Sequence, residues 1–168
     1  FNQTSDTICE NPLVVCLDES THGTISSLRL ASQRLQGQLS PRISAMTNLR
    51  FLELSNNQLT SLPTEFSLLR ELYSFTMTNN QMTSIEINWL PLINVSTMNF
   101  RNNFITTFPS TFPPNVRNLI LANNEISGTV PRLPSMLTRI LLEHNRITGG
   151  INLPESVSYC KLYSTEPM

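Results

Sequence analysis

The sequence offers few side chains that could carry out acid–base, nucleophilic or metal chemistry. Its 168 residues include two histidines, His22 and His144, whose ordinary pKa lies near neutral pH. His144 follows Glu143, but nothing in the sequence places a serine or cysteine nucleophile beside it. Metal binding needs several histidine, cysteine or carboxylate side chains to converge, and here they are scattered along the chain. We therefore expect a protein that is not an enzyme and holds no metal or cofactor.

A repeated apolar pattern organises most of the chain. Residues 49–59, Leu-Arg-Phe-Leu-Glu-Leu-Ser-Asn-Asn-Gln-Leu, have apolar side chains at positions 1, 4, 6 and 11 and asparagine at position 9. Further copies begin at Ile25, Leu72, Val95, Val116, Leu137 and, in degraded form, Val157. Successive starts are 24, 23, 23, 21, 21 and 20 residues apart, a period that indicates a solenoid of stacked coils.

The segments after position 11 resemble two forms of leucine-rich repeat. Residues 35–41, 126–131 and 147–151 are similar to the plant-type L-x-G-x-I-P consensus, and residues 59–63 and 105–109 to the general L-x-x-L-P form. The chain thus resembles extracellular leucine-rich repeat (LRR) proteins, either plant-type ectodomains or protist surface proteins. This resemblance implies an LRR solenoid of the α/β class, with short parallel strands, few helical turns and about seven coils in a curved right-handed superhelix. Prolines in the shorter later coils favour extended segments and 3₁₀ turns over helices.

The same resemblance divides the chain into an N-terminal cap, residues 1–24, and one continuous repeat domain, residues 25–168. Cys9 and Cys16 match the C-x6-C pair of plant-type caps, which implies a disulfide and an oxidising compartment. Two free thiols in a cytosolic cap are the alternative. Cys160 occupies position 4 of the last repeat, where other repeats have large apolar residues, so we expect it to be buried and unreactive.

Charge, apolar runs and sequons in the sequence bear on where the protein acts. Charged residues are 14% of the chain and the net charge is −1, which gives no basic surface for nucleic acid or anionic lipid. No apolar run approaches the roughly 20 residues of a membrane span. The chain opens on Phe1, which suggests a removed signal peptide or an excised segment. Asn2 and Asn94 head glycosylation sequons; such sequons also arise by chance in a chain this rich in Asn, Ser and Thr. We expect a secreted protein or the extracellular face of the plasma membrane.

Position 9 is asparagine in five consecutive repeats, after Gln33 in the first. A buried amide without hydrogen bonds costs about 1–3 kcal/mol. Asparagine carries both a donor and an acceptor, so we expect each side chain to bridge backbone groups of adjacent coils. This column is predicted to be structural.

Positions 2, 3, 5, 7 and 8 are expected to point outward on the concave face of the solenoid, where their chemistry varies from repeat to repeat. Tyrosine and arginine are enriched among residues that dominate protein interfaces. The first candidate cluster is Arg50, Phe51, Glu53 and Tyr73. The second lies toward the C-terminal end and comprises Ile120, Arg139, Leu141, Tyr159, Lys161 and Tyr163; alternatively, this cluster contacts further repeats or a C-terminal cap. Between them lies Arg101, together with the small polar residues Thr76, Thr97, Asn99 and Asn102, which could bind sugar hydroxyls or nothing.

A column of hydroxyl residues at position 12 adds a further possibility. It includes Thr60, Thr83, Thr106, Ser127 and Thr148. If the coils stack like the strands of a sheet, these hydroxyls lie roughly 4.7–4.9 Å apart, and regular threonine rows match ice lattices in some solenoids. Alternatively, serine and threonine cap turns by bonding to their own backbone.

Together these observations predict a ligand-recognition module, the ectodomain of a receptor or surface antigen, that binds a protein through its concave face; a glycan ligand is also conceivable. The alternative is a soluble inhibitor of a secreted glycan-cleaving hydrolase, as in polygalacturonase-inhibiting proteins, which share the L-x-G-x-I-P form. The sequence does not indicate an oligomeric state.

Overall fold

The structure, a computed structural model, describes residues 14–16 and 25–162, and it is built from short strands. In chain order these are β1 (Val14–Cys16), β2 (Ile25–Arg29), β3 (Gln36–Gln38), β4 (Phe51–Glu53), β5 (Gln58–Ser61), β6 (Ser74–Thr76), β7 (Thr97–Asn99), β8 (Asn118–Ile120), β9 (Ser127–Gly128), β10 (Arg139–Leu141), β11 (Arg146–Ile147) and β12 (Tyr159–Lys161). Two 3₁₀ helices, Pro41–Ala45 and Thr64–Leu68, complete the described elements.

Eight of these strands form one sheet in the order β1-β2-β4-β6-β7-β8-β10-β12. β1 is antiparallel to β2, and every later neighbour is parallel. The parallel strands pair in repeat register, so that Phe51 lies opposite Ser27 on one side and Ser74 on the other. Seven parallel strands therefore delimit six complete turns among the described residues. This confirms the predicted LRR solenoid and makes the expected count of seven coils approximate.

Segments that follow strands of the main sheet also pair with the equivalent segments of neighbouring coils. β3 pairs in parallel with β5, and β9 with β11. The coils also have little helix: one 3₁₀ helix begins after Ser40, whose hydroxyl accepts the Arg42 N–H at 3.3 Å. The other begins after Pro63. Both 3₁₀ helices lie in the longer early coils, and the described later coils, for which 3₁₀ turns were predicted, contain no helical element. The low helix content is as predicted.

The core is a stack of the inward-facing positions. Position 4 is 0–5% exposed from β2 to β10, because alternate residues of a strand point to opposite sides. Its centre is aromatic: the Phe75 and Trp89 rings stack with centroids 5.6 Å apart, and Phe66 and Phe100 pack edge-on against both. The indole N–H of Trp89 donates to the Ile85 carbonyl at 3.0 Å, so this large side chain is buried with its polar atom satisfied.

The asparagine column at position 9 is buried and hydrogen-bonded as predicted. Asn103 accepts the Met82 N–H through Oδ1 at 3.0 Å, while its Nδ2 donates to the carbonyls of Met77 in the preceding coil and Phe100 in its own. The same arrangement recurs at Asn57, Asn80, Asn124 and Asn145. Each amide therefore ties two coils together where the backbone turns away from the sheet.

Cys160 corrects the prediction of a buried thiol. It has the inward register of position 4 in β12, opposite Ile140, yet it is exposed. In the other parallel strands this position is covered by coils on both sides, whereas β12 is the last strand of the sheet. Its neighbours Ile151, Val157 and Leu162 are likewise only partly buried. The apolar interior is thus less complete at this end of the described array.

Candidate functional site

The outward face of the eight-stranded sheet consists of the side chains at positions 3 and 5, together with those at the strand ends. Strict register aligns position 3 as a row of Ser27, Phe51, Ser74, Thr97, Asn118, Arg139 and Tyr159. Because each strand is only a few residues long, each coil contributes two outward strand side chains, at positions 3 and 5. Along the position 3 row the residue type changes from serine to phenylalanine, then to small polar residues, and then to arginine and tyrosine.

The N-terminal patch, defined here as Arg50, Phe51 and Tyr73, is the larger aromatic surface. The Phe51 and Tyr73 rings meet edge to face, with centroids 5.9 Å apart at 65°. The two residues are 48% and 49% exposed, and Arg50 beside them is exposed as well. The structure thus brings together three of the four residues that the sequence predicted as the first cluster.

Two clefts flank Phe51. One, of about 370 Å³, is lined by Arg50, Phe51, Glu71, Tyr73 and Asn94. The other, of about 460 Å³, is lined by Ser26, Ser27, Arg29, Phe51, Leu52, Glu53, Ser74 and Thr76. The predicted residues Glu53 and Thr76 therefore lie in the second cleft, separated from Tyr73 by the Phe51 ring.

Several side chains in the middle of the outward face make hydrogen bonds or ion pairs within the protein. Glu53 accepts the Ser55 N–H at 2.9 Å, and Asn99 accepts the Arg101 N–H at 3.1 Å. Each side chain thus satisfies a backbone group just after its own strand. Arg101 reaches across the intervening coil, and its Nη1 lies 3.6 Å from Oε1 of Glu143. Glu143 is 2% exposed, and its Oε2 has no hydrogen-bond partner.

The C-terminal patch, defined as Arg139, Tyr159 and Lys161, is carried by the last two strands. The Arg139 guanidinium lies over the Tyr159 ring, 5.2 Å from its centroid, a cation–π distance. Tyr159 is 52% exposed and Lys161 is exposed. Tyr163 lies outside the residues that the structure describes. This geometry leaves both an aromatic and a cationic group accessible at this end.

Leu141 and Ile120 contribute less to this patch than the sequence predicted. Leu141 is 6% exposed and Ile120 is half-buried. Leu141 lies in register between Ile120 and Lys161, and side chains facing each other across adjacent strands cover one another. Leu141 is therefore not exposed as its outward position predicted, because position alone does not report this overlap; its contact with a ligand stays a prediction.

The outward face presents groups that can bind a partner. Among residues 14–16 and 25–162, no group of three or more histidine, cysteine or carboxylate residues is placed to hold a metal ion. The described residues also include no helix that is long and apolar enough to cross a bilayer. Aromatic rings, guanidinium groups and shallow clefts can bind a partner by packing, cation–π contact and hydrogen bonding.

The repeat pattern matches a known family. A profile described as Leucine Rich Repeat matches residues 48–69, which include β4 and β5. The chain is a leucine-rich repeat protein. A comparison of this LRR protein with curated protein sequences finds no match.

Solved structures show the same fold. The LRR ectodomain of the receptor kinase SOBIR1 from Arabidopsis thaliana is similar with a TM-score of 0.63 and 20% identity, over 95% of this chain and 86% of that one. A plant ice-binding protein is similar with a TM-score of 0.67 and 23% identity, over 86% of this chain. This LRR protein spans 49% of the length of that chain. At these identities the likeness shows the fold alone.

Sequence reasoning missed a second asparagine row in this LRR protein, at position 8. Asn56, Asn79, Asn102 and Asn123 have φ between 55° and 58°, a left-handed conformation that asparagine tolerates better than most residues. Their side-chain amides form a chain of hydrogen bonds from one coil to the next, at 2.8, 2.6 and 2.6 Å. The signal was present: the sequence repeats Asn at position 8 in four successive coils.

Several predicted modification sites are described only in part. Asn2 and Cys9 lie outside the described residues, and for Cys16 the structure describes only its place in β1. The Cys9–Cys16 disulfide and the glycan at Asn2 stay predictions. Asn94 is exposed, and its Nδ2 donates to the Arg70 carbonyl at 3.0 Å.

Proposed function

We propose that this LRR protein recognises a protein partner through the outward face of its sheet, with the N-terminal patch as the anchor. One observation carries the proposal: Phe51 and Tyr73 are packed edge to face and still 48% and 49% exposed. Large apolar groups in mutual contact at a surface mark interaction sites. Aromatic and arginine side chains are also the ones that most often dominate the binding energy of interfaces.

The two clefts beside Phe51 suggest how a partner engages. A projecting side chain of the partner enters the cleft between Arg50, Glu71 and Tyr73, and a second enters the one between Arg29, Glu53 and Thr76. Both clefts carry an arginine and a glutamate, so each can pair with either charge. Phe51 stands between the two inserted groups and loses its remaining exposure. Such central, desolvated aromatics are typical of binding hot spots.

The C-terminal patch extends this contact. Arg139 and Tyr159 lie several strands from Tyr73 along the same outward face. An interface of standard size buries about 800 Å² on each partner, which favours a partner that spans several coils. The Arg139–Tyr159 pair then acts as a second, smaller contact, while Asn99 and Arg101 provide polar contacts between the two.

We further propose that the protein acts outside the cell, as a secreted protein or as part of a receptor or surface ectodomain. The SOBIR1 ectodomain, which has the same fold, belongs to a receptor kinase. Asn94 heads a sequon and its side chain is exposed, but it also lines the cleft with Arg50 and Tyr73. A glycan at Asn94 would therefore take the place of a partner side chain in that cleft and leave the cleft beside Glu53 for the partner. Secretory expression with and without glycosidase treatment would detect a glycan, and Asn94→Gln would assign it.

The recognition proposal is tested by cross-linking capture from the native extracellular milieu, followed by binding measurements with the purified captured protein. The test variant replaces Arg50, Phe51 and Tyr73 with alanine. The matched control replaces Leu68, Leu90 and Ile93, which are 50–55% exposed and lie outside the main sheet. We expect the test variant to weaken binding by about 100-fold, equivalent to about 2.7 kcal/mol, and the control variant to bind like the wild type.

Equal binding by the test variant would contradict the anchor role of the N-terminal patch. A captured glycan-cleaving hydrolase whose activity the LRR protein lowers would instead establish the inhibitor function. Loss of binding in the control variant alone would show that the interface lies outside the main sheet.

A further inference from the structure

A second surface lies beside the main sheet, where each coil continues through positions 8, 10 and 12. Gln81 and Thr83 are exposed while Met82 between them is buried, and Phe104, Ile105 and Thr106 repeat the alternation in the next coil. Positions 10 and 12 therefore point outward together. We name positions 8, 10 and 12 of the second to sixth coils the side face.

The side face is regular because its backbone is stacked. The Thr83 N–H donates to the Thr60 carbonyl at 3.4 Å, the Thr106 N–H to the Thr83 carbonyl at 3.3 Å, and the Ser127 N–H to the Thr106 carbonyl at 3.1 Å. Parallel strands so paired lie roughly 4.7–4.9 Å apart. Each coil thus adds one step with the same set of outward positions.

The polar groups of this face are available for a ligand. The hydroxyls of Thr60, Thr83 and Thr106 make no hydrogen bond within the described part of the chain. In the asparagine row, Asn79 and Asn102 each use one N–H and one lone pair on their neighbours. Each amide therefore keeps a second N–H and a second lone pair for an external group.

The chemistry of the face is neutral, with one large apolar group. Phe104 is 51% exposed at position 10, between Gln81 and Glu125 of the adjacent coils. The charged residues of position 10, Glu125 and Arg146, pair with each other at 3.3 Å. The surface therefore offers repeated amides and hydroxyls and a half-exposed ring, without net charge.

We propose that the side face binds an unbranched, neutral polysaccharide that runs along the stack of coils. Sugar hydroxyls both donate and accept hydrogen bonds, as do the amides and hydroxyls of this face. The apolar C–H face of a sugar ring fits against Phe104. A repeating ligand also matches a surface that repeats once per coil. The proposal is independent of the protein-binding function, because it uses none of the residues of the N-terminal patch or the C-terminal patch.

Two other ligands fit the side face less well. A protein interface would need several aromatic or arginine anchors, and the central part of the face offers only Phe104. Ice would require a wide, uniform flat surface, whereas the hydroxyl row of position 12 is one residue wide and adjoins Phe104 and the Glu125–Arg146 pair of position 10.

The test is calorimetric titration with neutral linear hexaoses of β-1,4-glucose, β-1,4-xylose and β-1,3-glucose, and with the corresponding trioses. We expect at least one hexaose to bind, and more tightly than its triose, because a longer chain contacts more coils. Phe104→Thr should weaken binding about tenfold (about 1.4 kcal/mol). Phe51→Thr is the matched control, since Phe51 is 48% exposed but lies on the outward face; its affinity for the sugar should not change.

A second pair of variants tests the asparagine row. Asn102→Gly removes an amide but keeps a residue that accepts positive φ, and it should weaken hexaose binding. Ser32→Gly makes the same kind of change at φ 59°, without removing an amide, and should bind like the wild type.

Three results would overturn the proposal. They are the absence of binding by all three hexaoses, an equal loss in Phe104→Thr and Phe51→Thr, and freezing-point hysteresis or ice shaping without sugar binding. The last result would show that the side face binds ice and not a polysaccharide.

Discussion

The two sides of the main sheet are formed by the same strands, but the residue types vary little on the inner side and widely on the outer side. On the inner side, position 4 is large and apolar from Leu28 to Ile140 and at most 5% exposed. On the outer side, position 3 runs from serine to phenylalanine to arginine within the same register. The inner side is constrained by stacking in every coil, whereas the outer side is constrained only locally, as where Glu53 and Asn99 bond the backbone and where Leu141 is buried. The difference shows where stability resides and where recognition can vary.

The two asparagine columns make the same contrast one residue apart. Asn103 is 5% exposed and its side chain bonds backbone groups of several residues, while Asn102 is exposed and its side chain bonds only other asparagines of its row. The first residue supplies hydrogen bonds to the backbone of two coils, and the second fits a left-handed backbone conformation. Adjacent identical residues therefore have unequal importance for folding.

The largest expected effect comes from placing a charge on the inner side. Leu121 is fully buried, so Leu121→Asp should destabilise the array by more than about 4 kcal/mol and prevent cooperative folding. Leu68→Asp is the control, because Leu68 is 50% exposed. Circular dichroism and the fluorescence of Trp89, the single tryptophan, report folding. If the Leu121→Asp protein unfolds cooperatively at the wild-type temperature, the inner side does not carry the stability that this comparison of the two sides assigns to it.

The second-largest loss of stability is expected at the buried asparagine column. Asn103→Ala leaves the Met82 N–H without a partner. The Met77 and Phe100 carbonyls lose the Asn103 bond but keep those from Asn80 and Asn124. At about 1–3 kcal/mol for a buried group left unpaired and about 0.5–1.5 kcal/mol for each further hydrogen bond lost, the free energy of unfolding should fall by roughly 3 kcal/mol. Urea denaturation followed by Trp89 fluorescence measures this loss. A loss below about 1 kcal/mol would mean that water replaces the amide at little cost.

Exposed asparagine gives a smaller effect. Asn102→Gly removes two hydrogen bonds that are open to solvent and keeps the positive φ available. The same urea experiment should show a loss of about 0.5–1 kcal/mol. If Asn102→Gly and Asn103→Ala destabilise equally, the two columns do not differ as the structure indicates.

The smallest effect on stability is expected on the outer side. Arg50→Ala and Tyr159→Ala should change the free energy of unfolding by about 0.5 kcal/mol or less, because both side chains are exposed. Differential scanning calorimetry measures the shift in melting temperature. A loss above about 2 kcal/mol for either variant would show that the inside and outside assignments are wrong.

The sequence was sufficient for the fold because one period controls both the strand register and the core. The apolar columns at positions 4 and 6 and the buried asparagines followed from that period alone. Leu141 and Cys160 did not, since their burial depends on overlap with neighbouring side chains and on the end of the sheet. The edge-to-face packing of Phe51 with Tyr73 also required the structure, because their contact joins position 3 of one coil to position 2 of the next.

The most direct test of protein recognition on the outer side is site-specific photo-cross-linking. A photoreactive phenylalanine analogue is placed at Phe51 in one protein and at Leu90 in another, two sites of similar exposure at 48% and 55%. We predict that a partner from the native milieu cross-links at Phe51 and not at Leu90, and that excess unlabelled wild-type protein suppresses the product. Cross-linking of the same partner at Leu90 and not at Phe51 would contradict recognition through the outward face.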